Sequence, residues 1–245
     1  MSASVGFAGL THLGLVSAAA AAAKGLSVVG VDADAARVAA IQAGKPAVRE
    51  PELDALLRAN AARLKFTGDF KELAGCGVVY IAADVPTDQT GASDLAPIDA
   101  LIGRAAAALA PDAVIVVLCQ VPPGYTRRLA VSPARCFYQV ETLVFGRAVE
   151  RALKPERFIV GCADPAAPLP PAYQAVLAKF DCPVLPMRYE SAELAKIAIN
   201  CCLVASVSVA NTLSELSEKI GADWAEIAPA LRLDRRIGPH AYLTS

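Results

Sequence analysis

The chain begins with an apolar strand, a turn bounded by glycines and an alanine-rich helix, and this unit limits the fold more than any other feature. Residues 5–8 have the composition of a buried strand, and residues 13–24 have that of a helix. Residues 27–32 follow as a second strand, rich in valine. A strand, a helix and a strand in this order predict two parallel strands joined by a crossover helix, which is the building unit of α/β folds.

The same alternation continues along the chain. We predict further strands at residues 64–67, 78–82, 113–119, 135–140, 158–162 and 183–187, and helices near residues 52–63 and 97–110. Several of these strands are almost continuous in Val, Ile and Leu, which is typical of parallel strands covered on both faces. Residues 1–188 are therefore predicted to form a Rossmann-like, doubly wound, mostly parallel sheet. Residues 189–245 are predicted to be a helical segment, whose long helix ends at a C-cap, Gly221.

The charges nearly balance, with 23 Lys and Arg against 24 Asp and Glu. The chain therefore has no overall basic field for a phosphate backbone, and we expect no nucleic-acid partner. The cysteines form no CxxC pair and have apolar neighbours, which indicates reduced, buried thiols in a cytoplasmic protein and no metal site. These residues are Cys76, Cys119, Cys136, Cys162, Cys182, Cys201 and Cys202.

A second uncharged run, residues 197–214, is nearly long enough to span a bilayer. It contains six Ser, Thr and Asn residues, so a buried helix is the better interpretation than a membrane span. Such an apolar helix needs a covering surface, and we therefore expect the chain to form a homodimer through it.

The turn between the first strand and helix has the layout of a dinucleotide-binding turn. Gly9 would allow the tight turn, Gly14 would allow close helix packing, and Asp32 ends the second strand where a carboxylate binds a ribose 2′-hydroxyl. An acid at this point favours NAD over NADP. Thr11 replaces the middle glycine, and its Cβ is expected to crowd the cofactor and weaken its binding. The open alternatives are an ordinary tight turn that binds nothing and a phosphate contact from His12.

The long helix carries a polar stripe. Glu193, Lys196 and Asn200 lie at i, i+3 and i+7, on one face of an otherwise apolar segment. Lys196 and Asn200 would stabilise negative charge on a substrate oxygen or hold a water molecule. The alternative is that Lys196 reaches solvent or pairs with Glu193.

Several segments together resemble the nucleotide-sugar dehydrogenase family over nearly the whole chain. The resemblance rests on VGVD at residues 29–32, REPEL at 49–53, DVPTDQTGASDL at 84–95, QVPPGYT at 120–126, QVETLVFGRAVE at 139–150, PERFIVG at 155–161, SAELAKIAIN at 191–200 and LDRRIGP at 233–239. The REPEL and RIGP stretches argue against the β-hydroxyacid dehydrogenases, which also join a Rossmann domain to a long helix bearing lysine and asparagine.

The resemblance implies an NAD-binding enzyme that oxidises a sugar alcohol twice, from UDP-sugar to UDP-uronic acid, in polysaccharide biosynthesis. It implies that Lys196 stabilises oxyanions, that Asn200 holds a water or substrate oxygen, and that Glu141 assists acid–base steps through water. Arg236 would reach across a dimer interface to the sugar nucleotide.

Four departures from the family pattern bear on activity. Thr11 replaces a glycine, and Gln120, expected beside the cofactor, stands where the family has a catalytic threonine. Gln139 and Val140 replace the asparagine and proline before the catalytic glutamate, and the sequence ends at Ser245, before the nucleophilic cysteine and the second Rossmann-like domain. We expect either a dehydrogenase whose missing half another chain supplies, or a non-catalytic binding or assembly protein derived from that family.

Overall fold

A computed structural model describes residues 4–86, 89 and 93–238. These residues form an eight-stranded sheet with helices around it and a helical segment that follows. The strands are β1 Ser4–Ala8, β2 Ser27–Val31, β3 Leu64–Thr67, β4 Val78–Ile81, β5 Val114–Val117, β6 Cys136–Gln139, β7 Phe158–Cys162 and β8 Val184–Arg188. The α-helices are α1 His12–Ala23, α2 Ala35–Gln42, α3 Leu53–Ala59, α4 Ala96–Ala108, α5 Ala148–Leu153, α6 Pro171–Leu177, α7 Tyr189–Ile220 and α8 Trp224–Leu233.

The sheet has the strand order β3-β2-β1-β4-β5-β6-β7-β8. All neighbouring strands pair in parallel except β6 and β7. The predicted Rossmann-like, mostly parallel sheet is thus confirmed. The chain leaves β1 for β2 on one side and later continues to β4 on the other, so a crevice opens beyond the carboxyl ends of β1 and β4, where ligands bind in such sheets.

Helix α1 occupies the centre of the first unit. Its residues from Gly14 to Ala22 are all buried, because the helix packs on the sheet and also on α3 and α5. Alanine at six consecutive positions, Ala18–Ala23, keeps the helix thin enough to be covered on every side. The position of its N-terminus is therefore fixed by packing along its whole length.

Two helices were missed by the sequence patterns. Helix α2 buries only Val38 and Ile41, and α5 is six residues long, so neither gives a clear helical period. Helix α8 lies within the segment predicted to be helical, although it contains Pro229, which sequence rules place at helix ends. Local capping still identifies α2, because the side chain of Asp34 accepts a hydrogen bond from the Arg37 N–H.

The long helix forms as predicted and ends at Gly221, whose φ is +76°. One compact unit of the chain reaches to Leu194, and the second begins at Ala195. The prediction that residues 197–214 are buried is wrong for the single chain, since Val204 is 64% exposed and only a few positions of α7 are covered. By length and composition α7 could cross a bilayer, a test that core helices also pass.

The cysteine prediction is correct only in part. All seven thiols are free, and those on the sheet and its loops up to Cys162 are buried. Cys182 is half-buried, however, and Cys201 and Cys202 are exposed because they lie on the uncovered part of α7. Apolar neighbours in the sequence are therefore not sufficient to show that a cysteine is buried.

Glu52 adopts a left-handed backbone conformation, with φ +66°, immediately before α3. Its exposed side chain makes no capping hydrogen bond. A residue with a Cβ is strained in this conformation, whereas glycine is not. Glu52→Gly is therefore expected to stabilise the first unit by about 0.5–1 kcal/mol, or roughly 2 °C in Tm. Thermal unfolding of Glu52→Gly beside Glu52→Ala checks this, since alanine keeps the Cβ. An equal gain from both substitutions would contradict the backbone explanation.

Candidate functional site

The turn between β1 and α1 requires glycine at both of its ends. Gly9 has φ +93°, and a Cβ there would lie 2.8 Å from the Ala83 Cβ. A Cβ on Gly14 would lie only 1.9 Å from the Gly9 carbonyl oxygen and 2.8 Å from that of Ala82. The two glycines therefore let the start of α1 approach the ends of β1 and β4, as predicted.

Asp32 lies at the carboxyl end of β2 and is buried. Its Oδ2 accepts hydrogen bonds from the Leu10 N–H at 2.7 Å and from the Arg37 guanidinium at 2.8 Å, and its Oδ1 accepts one from the Asp34 N–H at 2.9 Å. An ionised carboxylate has about four lone-pair sites, so one site on Oδ1 is left for a further donor. The sequence did not single out Arg37, although a basic residue five positions after the acid is visible in it.

Thr11, the residue in place of the middle glycine, is engaged by the protein itself. Its Oγ1 accepts a hydrogen bond from the Asp84 N–H at 3.0 Å. Asp84 follows β4, so this contact joins the loops that follow β1 and β4 across the crevice of the sheet. The hydroxyl thus has a structural partner on the β4 side of the turn.

The N-terminus of α1 supplies donors for an anion. The first bond of the helix runs from the Leu15 N–H to the Thr11 carbonyl at 3.0 Å, so the N–H groups of His12, Leu13 and Gly14 have no acceptor within the helix. Such groups and the helix dipole favour phosphate. Together with the glycines and the free site on Asp32, these donors fit a dinucleotide.

His12 is joined to a buried carboxylate. Its Nε2 lies 2.8 Å from Glu50 Oε1, and the Glu50 side chain is 1% exposed. Glu50 also accepts hydrogen bonds from the backbone N–H groups of Gly146 and Ala148, at 3.0 Å and 3.3 Å. The ring of Phe145 packs on that of His12 at 4.4 Å between centroids. Glu50 thus ties the dinucleotide turn to the loop between β6 and α5, a link that the sequence did not reveal.

The pKa of Glu50 reflects these contacts. Burial alone would raise it, but the hydrogen bonds from His12, Gly146 and Ala148 outweigh burial and hold the pKa below its usual value of 4.5. The charged form of Glu50 is therefore the form that the folded protein stabilises.

Glu141 and Gln120 follow β6 and β5, at the same edge of the sheet as the dinucleotide turn. Glu141 is half-buried, and its Oε1 accepts a hydrogen bond from the Thr142 N–H at 2.6 Å. Gln120 is exposed. The structure therefore brings Glu141 and Gln120 to the edge that carries Gly9 and Gly14.

Glu193, on the first turns of α7, is completely buried. Its carboxylate accepts hydrogen bonds from the backbone N–H groups of Gly124 at 2.5 Å and Thr126 at 2.8 Å. Arg127 and Glu190 form an ion pair beside it. The start of α7 is thus bonded to the QVPPGYT segment, which assigns a structural role to the acidic member of the predicted polar stripe.

The other candidates lie in the second unit. Lys196 is half-buried and Asn200 is exposed on α7. The Arg236 guanidinium donates a hydrogen bond to Asp234 at 2.6 Å, and its side chain is 89% exposed. Pro239 and residues 87, 88 and 90–92 of the predicted motifs lie outside the described residues.

The described thiols of the first unit are poor nucleophiles. Burial raises the pKa of Cys119 to about 12, and its Sγ lies 3.2 Å from the Ile81 carbonyl oxygen. Cys119 is therefore a buried thiol, as predicted. Among residues 4–86, 89 and 93–238, no group of three or more His, Cys, Asp or Glu side chains is arranged to hold a metal ion.

Comparison with known families covers nearly the whole chain. Residues 3–180 match the NAD binding domain of the UDP-glucose/GDP-mannose dehydrogenase family, and residues 190–245 match the central domain of the same family. The turn, Asp32 and Glu141 fall in the first match, whereas Lys196, Asn200 and Arg236 fall in the second.

Relatives and solved structures agree with this match. The chain is 32% identical to a UDP-glucose 6-dehydrogenase of Pseudomonas aeruginosa, with 95% of this chain and 55% of the relative aligned. It is 30% identical to UDP-glucose 6-dehydrogenase TuaD of Bacillus subtilis, with 94% and 52% aligned. The chain thus spans about half the length of the curated relatives it matches.

Among solved structures, a UDP-glucose dehydrogenase from Pyrobaculum islandicum superimposes with a TM-score of 0.86 at 30% identity, over 98% of this chain and 59% of that one. A ternary complex of a GDP-mannose dehydrogenase from P. aeruginosa has the same fold, with a TM-score of 0.86 at 24% identity, over 99% and 59%. The glycine turn, the buried acid and the matches across both regions lead to one conclusion: the chain belongs to the UDP-glucose/GDP-mannose dehydrogenase family.

Proposed function

We propose that this chain binds NAD at the turn between β1 and α1. The observation that carries the proposal is the arrangement of Gly9, Gly14 and Asp32 at the crevice of the sheet, in a region that matches an NAD binding domain. The N–H groups at the start of α1 would hold the pyrophosphate, and Asp32 Oδ1 would accept a hydrogen bond from a ribose hydroxyl. Bound NAD would supply the hydride acceptor.

The same geometry favours NAD over NADP. The Asp32 carboxylate already accepts three hydrogen bonds, and its negative charge would repel a 2′-phosphate. Arg37, the basic group beside it, is held by Asp32 at 2.8 Å and by Asp34 at 3.5 Å. A phosphate would have to displace these carboxylates from Arg37, so NADP is expected to bind more weakly than NAD.

Thr11 is proposed to weaken NAD binding because it places a Cβ where a dinucleotide-binding turn has its middle glycine. Removing the Cβ lets the turn approach the pyrophosphate, so Thr11→Gly is expected to bind NAD about fivefold more tightly, or ~1 kcal/mol. Thr11→Ser keeps both the Cβ and the hydroxyl that accepts from the Asp84 N–H, and it should bind like the wild type. Calorimetric titration of the three proteins measures the difference. Equal affinity for Thr11→Gly and Thr11→Ser would contradict this role.

We further propose that the chain takes part in oxidising a nucleotide sugar, from UDP-sugar to UDP-uronic acid, for polysaccharide biosynthesis in the cytoplasm. This rests on the family match and on Lys196, Asn200, Glu141 and Arg236, whose side chains suit the chemistry. Lys196 would stabilise a developing oxyanion, Asn200 would hold a water or substrate oxygen, and Glu141 would exchange protons through water. Arg236 would bind the sugar nucleotide.

Assembly is part of the proposal. The exposed apolar side chains of α7, including Val204, Val209 and Ile220, make a long uncovered surface. We propose that a second copy of the chain covers it. Sedimentation should then give a dimer at micromolar concentration, and a monomer would count against it.

The competing function is a non-catalytic binding or assembly protein. It is favoured by Thr11, by the exposed Gln120 and by the high pKa of the Cys119 thiol. NADH formation from UDP-glucose and related sugars, followed by absorbance, separates the two functions. Turnover with any sugar nucleotide supports the dehydrogenase, whereas a blank panel with intact NAD binding would leave the binding or assembly function.

A further inference from the structure

A small cavity, partly open to solvent, lies beneath α1, between that helix, the sheet, α5 and α6. Its volume is about 40 Å³. Most of its wall is apolar, from residues such as Phe7 and Phe158, but five side chains with polar or charged groups also line it. These are Ser17, Tyr80, Gln139, Glu141 and Arg151. The cavity is therefore unlike a packing defect, which would be lined by apolar atoms alone.

Ser17 is the least explained of these five residues. It lies in the middle of α1 among alanines, is 9% exposed, and its buried Oγ has no hydrogen-bond partner among the described protein atoms. A serine within a helix often bonds to the carbonyl one turn earlier, yet here the hydroxyl does not. Burying a hydroxyl without a hydrogen-bond partner destabilises the folded protein, so a partner inside the cavity is expected.

Gln139, which lines the cavity from β6, is held by a hydrogen bond. Gln139 is 4% exposed, and its Oε1 accepts a hydrogen bond from the Tyr173 hydroxyl at 2.7 Å. Burial, and then the negative charge of Glu141, raise the pKa of Tyr80, which also lines the cavity. Glu141 thus faces this interior space while its Oε1 accepts from the Thr142 N–H.

We propose that the cavity is a built hydration site, in which a few water molecules connect the Ser17 hydroxyl to the Glu141 carboxylate. One water needs at least about 10–15 Å³ of such volume and two to four polar partners, so a volume of about 40 Å³ holds two or three. Ser17, Gln139, Glu141 and Arg151 supply the partners. No chemical step takes place at this hydration site.

This hydration site gives Glu141 hydrogen-bond partners on its interior side. Any effect of these waters on proton exchange by Glu141 rests on the role proposed for Glu141, but the presence of the waters does not. A crystal structure of the free protein therefore tests the site whether or not the chain has activity.

The test compares wild type, Ser17→Ala and Ser17→Val by crystallography at about 1.5 Å resolution, with xenon-pressurised crystals beside them. We expect ordered water within about 3.2 Å of Ser17 Oγ in the wild type. That water should be lost in Ser17→Ala, and the added methyl groups of Ser17→Val should fill its place. Xenon should not enter the wild-type cavity, because polar, hydrated cavities exclude it. A dry cavity or a xenon peak in the wild type would overturn the proposal.

Thermal unfolding gives a second, independent readout. If water satisfies the Ser17 hydroxyl, Ser17→Ala should lower Tm by about 2 °C, whereas removal of an unsatisfied hydroxyl should raise it. Ser206→Ala is the matched control, because the Ser206 hydroxyl donates to the Cys202 carbonyl on the exposed helix and its loss should leave Tm unchanged. An increase in Tm for Ser17→Ala would contradict the hydration site.

Discussion

Replacing Gly14 with alanine is expected to destabilise the first unit by about 3 kcal/mol and to abolish NAD binding. The new Cβ would lie 1.9 Å from the Gly9 carbonyl oxygen, a backbone atom that cannot rotate away. Helix α1 is covered along its length, so the helix cannot shift to make room without disturbing α3, α5 and the sheet. Its N-terminus would then move away from the position proposed to hold pyrophosphate.

Gly103 provides the matched control for this substitution. It also lies within a helix, α4, but no atom lies within 4 Å of a Cβ built on it. Gly103→Ala should therefore be neutral or stabilise the protein by up to about 1 kcal/mol, with unchanged NAD affinity. Urea unfolding and calorimetric titration of both variants measure the contrast. If Gly14→Ala were as stable as Gly103→Ala, the close approach described for the turn would be wrong.

Replacing Glu50 with glutamine is expected to cost about 2–3 kcal/mol at neutral pH, because an amide cannot accept from His12 and both backbone N–H groups together. The loop that carries Glu141 would lose its attachment to the dinucleotide turn. Glu72→Gln is the control, since its pair with Lys65 is largely exposed and should contribute at most about 1 kcal/mol.

The effect of Glu50 should depend on pH with a definite sign. The pKa of Glu50 is lowered in the folded protein, so its charge stabilises the fold above the unfolded value, near 4.5, and this stabilisation is lost as the pH falls through the lower, folded pKa. The stability gap between wild type and Glu50→Gln should be full above about pH 5.5 and shrink below 4.5. A gap independent of pH between 3 and 7 would show that Glu50 does not act through its charge.

The sequence was sufficient to predict the geometry of the turn on the first βαβ unit. Gly9, Gly14 and Asp32 are close in sequence, and their spacing reflects local backbone requirements that any such turn must meet. The same holds for the strands, since runs of Val and Ile are sufficient to identify buried parallel strands.

The links between distant segments could not be predicted. Glu50 meets Gly146 across 96 residues, and Glu193 meets Gly124 across 69, through backbone N–H groups that have no side-chain signature. Thr11 was interpreted only as a defect, because its bond to the Asp84 N–H depends on how the β4 loop folds. Apolar patterning also predicted that the long helix is covered, but it cannot say which chain covers it.

Calorimetric titration of NAD into the purified chain, beside the Asp32→Ala variant and with NADP as competitor, measures directly whether the turn between β1 and α1 binds the cofactor. We expect one NAD per chain, weaker binding of NADP, and loss of NAD affinity in Asp32→Ala. No heat and no thermal stabilisation with NAD at millimolar concentration would contradict this expectation.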